Sequence, residues 1–270
     1  MGRHREAQPD GALRHHHEEH FHLNELETHL VAASGEFVGT FFFLFFGYAG
    51  HLMVVDLASQ TPGASAIIYI SLAYSMSLLV SVWAFYRISG GLFNPAVTLG
   101  MCTAGQLPWK RGAFLFLTQL IACMVAGGVV KVLFPGDMAS INTLLVPGVN
   151  TAQGLFSEMF FTSFLVFVVL MLAAEKSKDT FIAPVGIGLA LFVAEIPGVY
   201  FTGGSLNPAR SFGCAVAAPS FPHYHWIYWL GPAMGGVLAA IYFRFVKACH
   251  YEEANPGQDA SQPSSDVGEV

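Results

Sequence analysis

Six stretches of about 20 residues each are almost free of charge: 30–54, 66–86, 113–134, 155–174, 181–201 and 226–246. At a rise of 1.5 Å per residue, a helix of about 20 residues crosses the roughly 30 Å hydrocarbon core of a bilayer, so the pattern predicts six membrane-spanning helices. The pattern breaks twice, at "FNPAVTLG" (93–100) and at "LNPARSFG" (206–213). Each break carries Asn-Pro followed by about a dozen mostly apolar residues, a helix of about 18 Å, which is too short to cross. Irregular backbone at membrane depth is tolerated only where protein buries it or where it lines a water-filled cavity. The stretches preceding Asn94 and Asn207 therefore predict a cavity wall.

A repeat relates the two breaks. "SGEFVGTFFFLF" (34–45) in the first span matches "FSEMFFTSFLVF" (156–167) in the fourth, with Glu36 and Glu158 in register. Each half, 30–134 and 155–247, holds three full crossings, an odd number, so the second half is inverted in the membrane. The two Asn-Pro segments then enter from opposite faces. Asn is a preferred N-cap and Pro a preferred first helical residue, so Asn94-Pro95 and Asn207-Pro208 read as helix starts. Two half-helices whose N-termini meet near the midplane aim both positive dipole ends at one point, which is hostile to cations. The two Asn amides add N–H donors there, enough to orient a passing water so that proton hopping along the file is interrupted. Gly35, Gly39, Gly127, Gly128, Gly186, Gly188, Gly231 and Gly235 read as close-packing positions between spans.

Composition agrees with this reading: 54% hydrophobic and 11% charged residues place the chain outside the soluble range. The net charge of -6 comes mostly from two polar tails, 1–29 and 249–270, read as disordered or weakly helical tails flanking a channel unit at 30–248. With six spans, Arg87, Lys110, Arg111, Lys176, Lys178, Arg244 and Lys247 share the side of both termini, and only Lys131 and Arg210 fall opposite, which predicts cytoplasmic termini. The polar N-terminus has no short apolar core with a cleavage site. Within it, His15, His16, His17, His20 and His22 lack the spacing of a zinc-protease HExxH and read as a solvated tail, with pH-dependent gating as the alternative. Four cysteines show no pairing pattern and read as free thiols. Neither a metal site nor a cofactor is expected, nor a nucleic-acid partner.

With "SGGLFNPAVTLG" (89–100), "TGGSLNPARSFG" (202–213), six spans and the Glu36/Glu158 repeat, the chain resembles the aquaporin (major intrinsic protein) family over about residues 30–248. The resemblance implies an all-α membrane fold of six spans plus two half-helices, a homotetramer, and passive conduction of water without protons or ions. It places the pore motifs at Asn94, Pro95, Ala96, Asn207, Pro208 and Ala209, and an outer selectivity filter at Tyr74, Glu195, Gly204 and Arg210. Glu36 and Glu158 resemble the family's buried carboxylates, which hold the pore-lining loop carbonyls in place. Gly204 stands where many members carry a mercury-binding Cys. Glu195 stands where water-selective members usually carry His, which opens two readings: a pore-facing carboxylate that broadens the filter, or a structural one moved out of the pore by Pro197. Ser211, Ala215, Tyr228 and Trp229 resemble the water-type pattern. The stretch "FPHYHWIYW" (221–229) and the His-bearing tail resemble fungal members.

Two function classes compete. The first is a passive channel for water, or for small neutral solutes such as hydrogen peroxide or glycerol, in the plasma membrane. The second is a secondary transporter, whose inverted repeat and broken helices would look alike in sequence but which ordinarily needs a membrane carboxylate free to titrate. Glu36 and Glu158 sit symmetrically, as supports would. No Ser/His, HExxH or paired-Asp arrangement in the spans speaks for an enzyme.

Overall fold

In the computed structural model, residues 23–60 and 65–257 are described, and among them the chain is all helical. The long helices are α1 (Glu25–Gln60), α2 (Ser65–Ser89), α4 (Trp109–Leu133), α5 (Thr151–Val169), α6 (Ala183–Phe201) and α8 (Ile227–Ala248). These six are long and apolar enough to cross a membrane. Two short helices, α3 (Pro95–Thr103) and α7 (Pro208–Ala217), start at the Asn-Pro pairs, and α9 (Tyr251–Ala254) follows the last span. With 9 and 10 residues, α3 and α7 are each about 14–15 Å long. Placed end to end, they make one crossing.

The first helix starts at Glu25, earlier than the apolar run that begins at residue 30. The cause is local: Asn24 Oδ1 accepts from Glu27 N at 2.9 Å while Asn24 N donates to Glu27 Oε2 at 2.8 Å, a reciprocal cap. The added turn pairs with α4, where Arg111 Nε donates to His29 Nδ1 at 2.7 Å. At the other end, the four-residue helix α9 forms within the segment 249–270, whose sequence reads as disordered or weakly helical. Lys247 Nζ donates to Glu252 Oε1 at 2.8 Å and to Glu175 Oε1 at 3.0 Å, and the ammonium holds the Glu252 carboxyl below the usual carboxylate range. The histidines of the N-terminal tail lie outside the described residues.

Packing follows the repeat. The first span of each half lies against its third, α1 on α4 and α5 on α8, and α2 meets α6 across the halves. Each half-helix packs chiefly on the opposite half: α3 against α8, and α7 against α4. The two halves are thereby interlocked. Glycines make the crossovers possible. A Cβ on Gly213 would lie 2.5 Å from Cys123 O, and one on Gly236 would lie 2.6 Å from Ala96 O. Gly128, also expected to be a packing residue, has open space around it, because α4 turns that face away from its neighbours.

This distinction is measurable in detergent. Gly213→Val is expected to cost at least the roughly 1–3 kcal/mol of an overpacked core and to lower the midpoint of thermal unfolding clearly. Gly128→Ala is expected to leave it unchanged or slightly higher. Equal midpoints for the two variants would refute the interlocked packing of α4 and α7.

Candidate functional site

At the centre of the molecule the two half-helix starts face each other. Asn94 and Asn207 cap their own helices: Asn94 Oδ1 accepts from Ala96 N (2.8 Å) and Val97 N (3.4 Å), and Asn207 Oδ1 accepts from Ala209 N (2.9 Å) and Arg210 N (3.4 Å). Each amide also reaches across the pseudo-symmetry. Asn94 Nδ2 donates to Leu206 O at 2.8 Å, and Asn207 Nδ2 donates to Phe93 O at 2.9 Å. Phe93 and Leu206 both have left-handed backbones, φ 50° and 49°, an uncommon conformation for bulky residues, and it turns their carbonyls toward the opposite half. One hydrogen of each Asn amide remains for the cavity that both residues line.

Two buried carboxylates hold the loops that lead into these starts. Glu36 Oε1 accepts from Ser89 Oγ and Leu92 N, both at 2.9 Å, and its Oε2 accepts from Phe93 N and Gln119 Nε2, both at 2.8 Å. Glu158 does the same in the other half, accepting from Thr202 Oγ1 (2.6 Å), Ser205 N (3.1 Å) and Leu206 N (2.8 Å). Both carboxylates thus hold their loops through backbone N–H groups. The carboxylate oxygens take the loop N–H groups as acceptors, while the loop carbonyls Phe93 O, Leu206 O, Thr202 O and Gly203 O accept from Asn207, Asn94, Tyr228 and Arg210.

The cavity between the halves is narrow, with about 20 Å³ open to the centres of water molecules, room for roughly one at a time. Its walls are mostly apolar, among them Phe43, Leu78, Leu165, Ile187 and Leu191. Polar groups appear at Asn94, Asn207, Ser205, Tyr74, Glu195 and Arg210. Toward the side of Ser89 and Lys176 it shares Gly91, Leu92, Val169 and Ile187 with a wider vestibule of about 320 Å³. A π-helical turn, Leu170–Ala174, closes α5 at that rim, where Tyr86 Oη and Lys176 Nζ donate to Ala173 O at 2.8 and 2.7 Å.

At the other end lies Arg210, 1% exposed. Its Nη1 donates to Ile141 O at 3.1 Å and its Nη2 to Gly203 O at 3.3 Å, while its guanidinium lies 4.8 Å from the Tyr74 ring centroid. Tyr48 Oη donates to the Arg210 carbonyl at 2.6 Å. Glu195 lines the same cavity, since α6 runs unbroken through Pro197 and does not carry the carboxyl away. Glu195 Oε2 is buried and has no hydrogen-bond partner; it does not pair with Arg210. Gly204 has φ +63°, which side-chain-bearing residues rarely adopt, and a Cβ there would overlap Glu195 Oε2. The glycine and the carboxylate share one space, so a Cys at 204 would displace Glu195.

Four residues resembling the water-type pattern stay behind the pore wall. Ser211 Oγ donates to Ser205 Oγ at 2.6 Å, Tyr228 Oη donates to Thr202 O at 2.8 Å, Ala215 is buried, and Trp229 lines a separate apolar cleft. Cys102, Cys123 and Cys214 are buried free thiols and Cys249 is an exposed one. No cluster of potential metal ligands occurs among the described residues. Sequence reasoning overlooked Tyr48, His51 and Gln119. The available signal was polarity, because an ionisable or polar side chain inside an apolar span is a site candidate by default.

The comparisons with known proteins point one way. The family described as "Major intrinsic protein" matches residues 24–243. The chain is 64% identical over 244 residues to "Probable aquaporin-3" of Gibberella zeae, covering 88% of this chain and 85% of that protein. It is 52% identical over 260 residues to "Aquaporin-7" of Botryotinia fuckeliana, covering 93% of this chain but 56% of that longer protein. In fold it is similar to the aquaglyceroporin from Plasmodium falciparum, with a TM-score of 0.71 at 19% identity, covering 84% of this chain and 99% of that one. On its six spans, its two half-helices and this match over most of its length, the chain belongs to the major intrinsic protein family and is a multi-pass membrane channel.

Proposed function

We propose that the channel conducts water in single file and excludes protons and ions. The observation that carries this reading is the midplane: two half-helix N-termini and two Asn amides converge on a cavity with room for roughly one water molecule. A cation there meets positive dipole ends and loses its hydration, whereas water trades its hydrogen bonds for those of the amides and the other polar groups of the cavity wall. The names of the fungal relatives fit water as the solute. In this reading Asn94, Pro95, Ala96, Asn207, Pro208 and Ala209 form the central constriction, and Tyr74, Glu195, Gly204 and Arg210 form the outer filter. Glu36 and Glu158 support the loops. The channel unit spans 30–248, works as a homotetramer in the plasma membrane and keeps both termini in the cytoplasm.

Arg210 supplies the one cationic side chain lining the narrow cavity, so it carries much of the charge exclusion. In proteoliposomes loaded with a pH dye, Arg210→Val is expected to keep most of the water flow while admitting protons or small cations. A proton-tight variant whose water flow collapses would show that this role is misassigned.

A second solute class, small hydrogen-bonding neutral molecules such as hydrogen peroxide, is favoured by Glu195 Oε2, a buried oxygen at the cavity wall with no partner. A passing solute with an O–H donor fits it, and Arg210 nearby serves the solute's acceptor side. Stopped-flow shrinkage in sucrose and then in glycerol, with a peroxide-sensitive dye, separates the solutes. The expected order is water, then peroxide, then glycerol, with Glu195→His lowering peroxide and glycerol relative to water. Identical rates for both proteins would remove Glu195 from the selectivity account.

A further inference from the structure

A side chain from the first span completes the outer constriction. His51 on α1 is 6% exposed, and its Nδ1 lies 3.4 Å from Tyr74 Oη and 3.4 Å from Arg210 Nη2. Its ring stands edge-on to Tyr74, with centroids 5.9 Å apart at 83°. A guanidinium has donors only, so the contact with Arg210 requires a lone pair on Nδ1 and places the imidazole proton on Nε2. The Tyr74 hydroxyl can donate to the same lone pair. The backbone partners of the guanidinium are Ile141 O, at the end of the 3-10 turn Met138–Ile141, and Gly203 O, in the loop before α7, and its Nε has no partner. The acceptor on α1 is therefore a side-chain partner of Arg210, beside the Tyr74 side chain, and it is mounted on a rigid span. Without it, the plane of the guanidinium would rest on two backbone carbonyls and on the face of Tyr74.

We propose that His51 is a specificity-determining residue of this channel: through the Nδ1 lone pair it holds the Arg210 guanidinium and the Tyr74 hydroxyl in one fixed arrangement and so sets the aperture. It is a positioning residue, acting on solutes through Arg210. The inference rests on the reading of Arg210 as part of the filter. What matters chemically is the acceptor, since a side chain of similar size without one leaves a buried donor unpaired, and the guanidinium then turns to find another partner. In a pore with room for one water molecule, such a turn changes which solutes fit.

The test compares wild type, His51→Gln, His51→Leu and Arg210→Val, purified and reconstituted at equal density, with the glycerol-to-water permeability ratio as the readout. His51→Leu fills the space without an acceptor and is expected to shift the ratio about fivefold, the factor equivalent to one neutral hydrogen bond. His51→Gln carries an amide oxygen that replaces Nδ1 and is expected to stay near the wild-type ratio. An unshifted ratio in His51→Leu, or a shift as large in His51→Gln as in His51→Leu, overturns the proposal. Should His51→Leu fail to fold, His51→Ala is read against His51→Gln in the same way. An unchanged ratio and proton tightness in Arg210→Val would sink the filter reading itself, whereas a changed Arg210→Val beside an unchanged His51→Leu would sink the role of His51 alone.

Discussion

The rest of the structure depends on a pair of reciprocal hydrogen bonds at the centre of the molecule, Asn94 to the Leu206 carbonyl and Asn207 to the Phe93 carbonyl. In water each would contribute about 1 kcal/mol net. At this depth only the narrow cavity could offer an unpaired amide or carbonyl another partner, so losing either bond leaves a buried polar group to be satisfied. The same side chains that start the half-helices also join the two halves, so helix initiation and the packing of the halves are a single feature. The left-handed backbones of Phe93 and Leu206 follow from this, because that conformation lets each carbonyl face the opposite amide.

The pore wall around this centre divides its polar work by element. Carboxylates on the first span of each half, Glu36 and Glu158, take up loop N–H groups, so the loops stay unwound without leaving donors orphaned. Farther out, Arg210 is held by backbone carbonyls, by the face of Tyr74 and by the side chain of His51. Glu195 enters from α6 into space that Gly204 leaves empty. The surroundings of Arg210 are thus built from α1, α2, α6 and α7, the loop at Gly203 and the 3-10 turn that ends at Ile141.

Much of this is local chemistry and was legible in the sequence. Six spans follow from apolar length, and the half-helices follow from Asn-Pro, since both cap and first-turn preferences act within four residues. The repeat of Glu36 and Glu158 marked the supports. The convergence of His51, Tyr74 and Arg210 was not legible, because these residues are 23 and 159 positions apart and only the interlocking of α1, α2 and α7 brings them together. The carbonyl of Ile141, in the segment between α4 and α5, is a partner that a side-chain pattern cannot announce. The extra turn of α1 was missed because it is held by polar partners, Asn24 with Glu27, to which apolar length is no guide, and Lys247 with Glu252 ties the short helix α9 to the last span in the same way.

The claim that the two Asn bonds form one unit has a direct test in a double-mutant cycle on unfolding of the detergent-solubilised protein, using Asn94→Ala, Asn207→Ala and the pair. Because each bond positions the loop that accepts the other, the second removal is expected to cost at least about 1 kcal/mol less than it does alone. Additivity of the two single losses within about 0.3–0.5 kcal/mol, the behaviour of independent sites, would contradict the account.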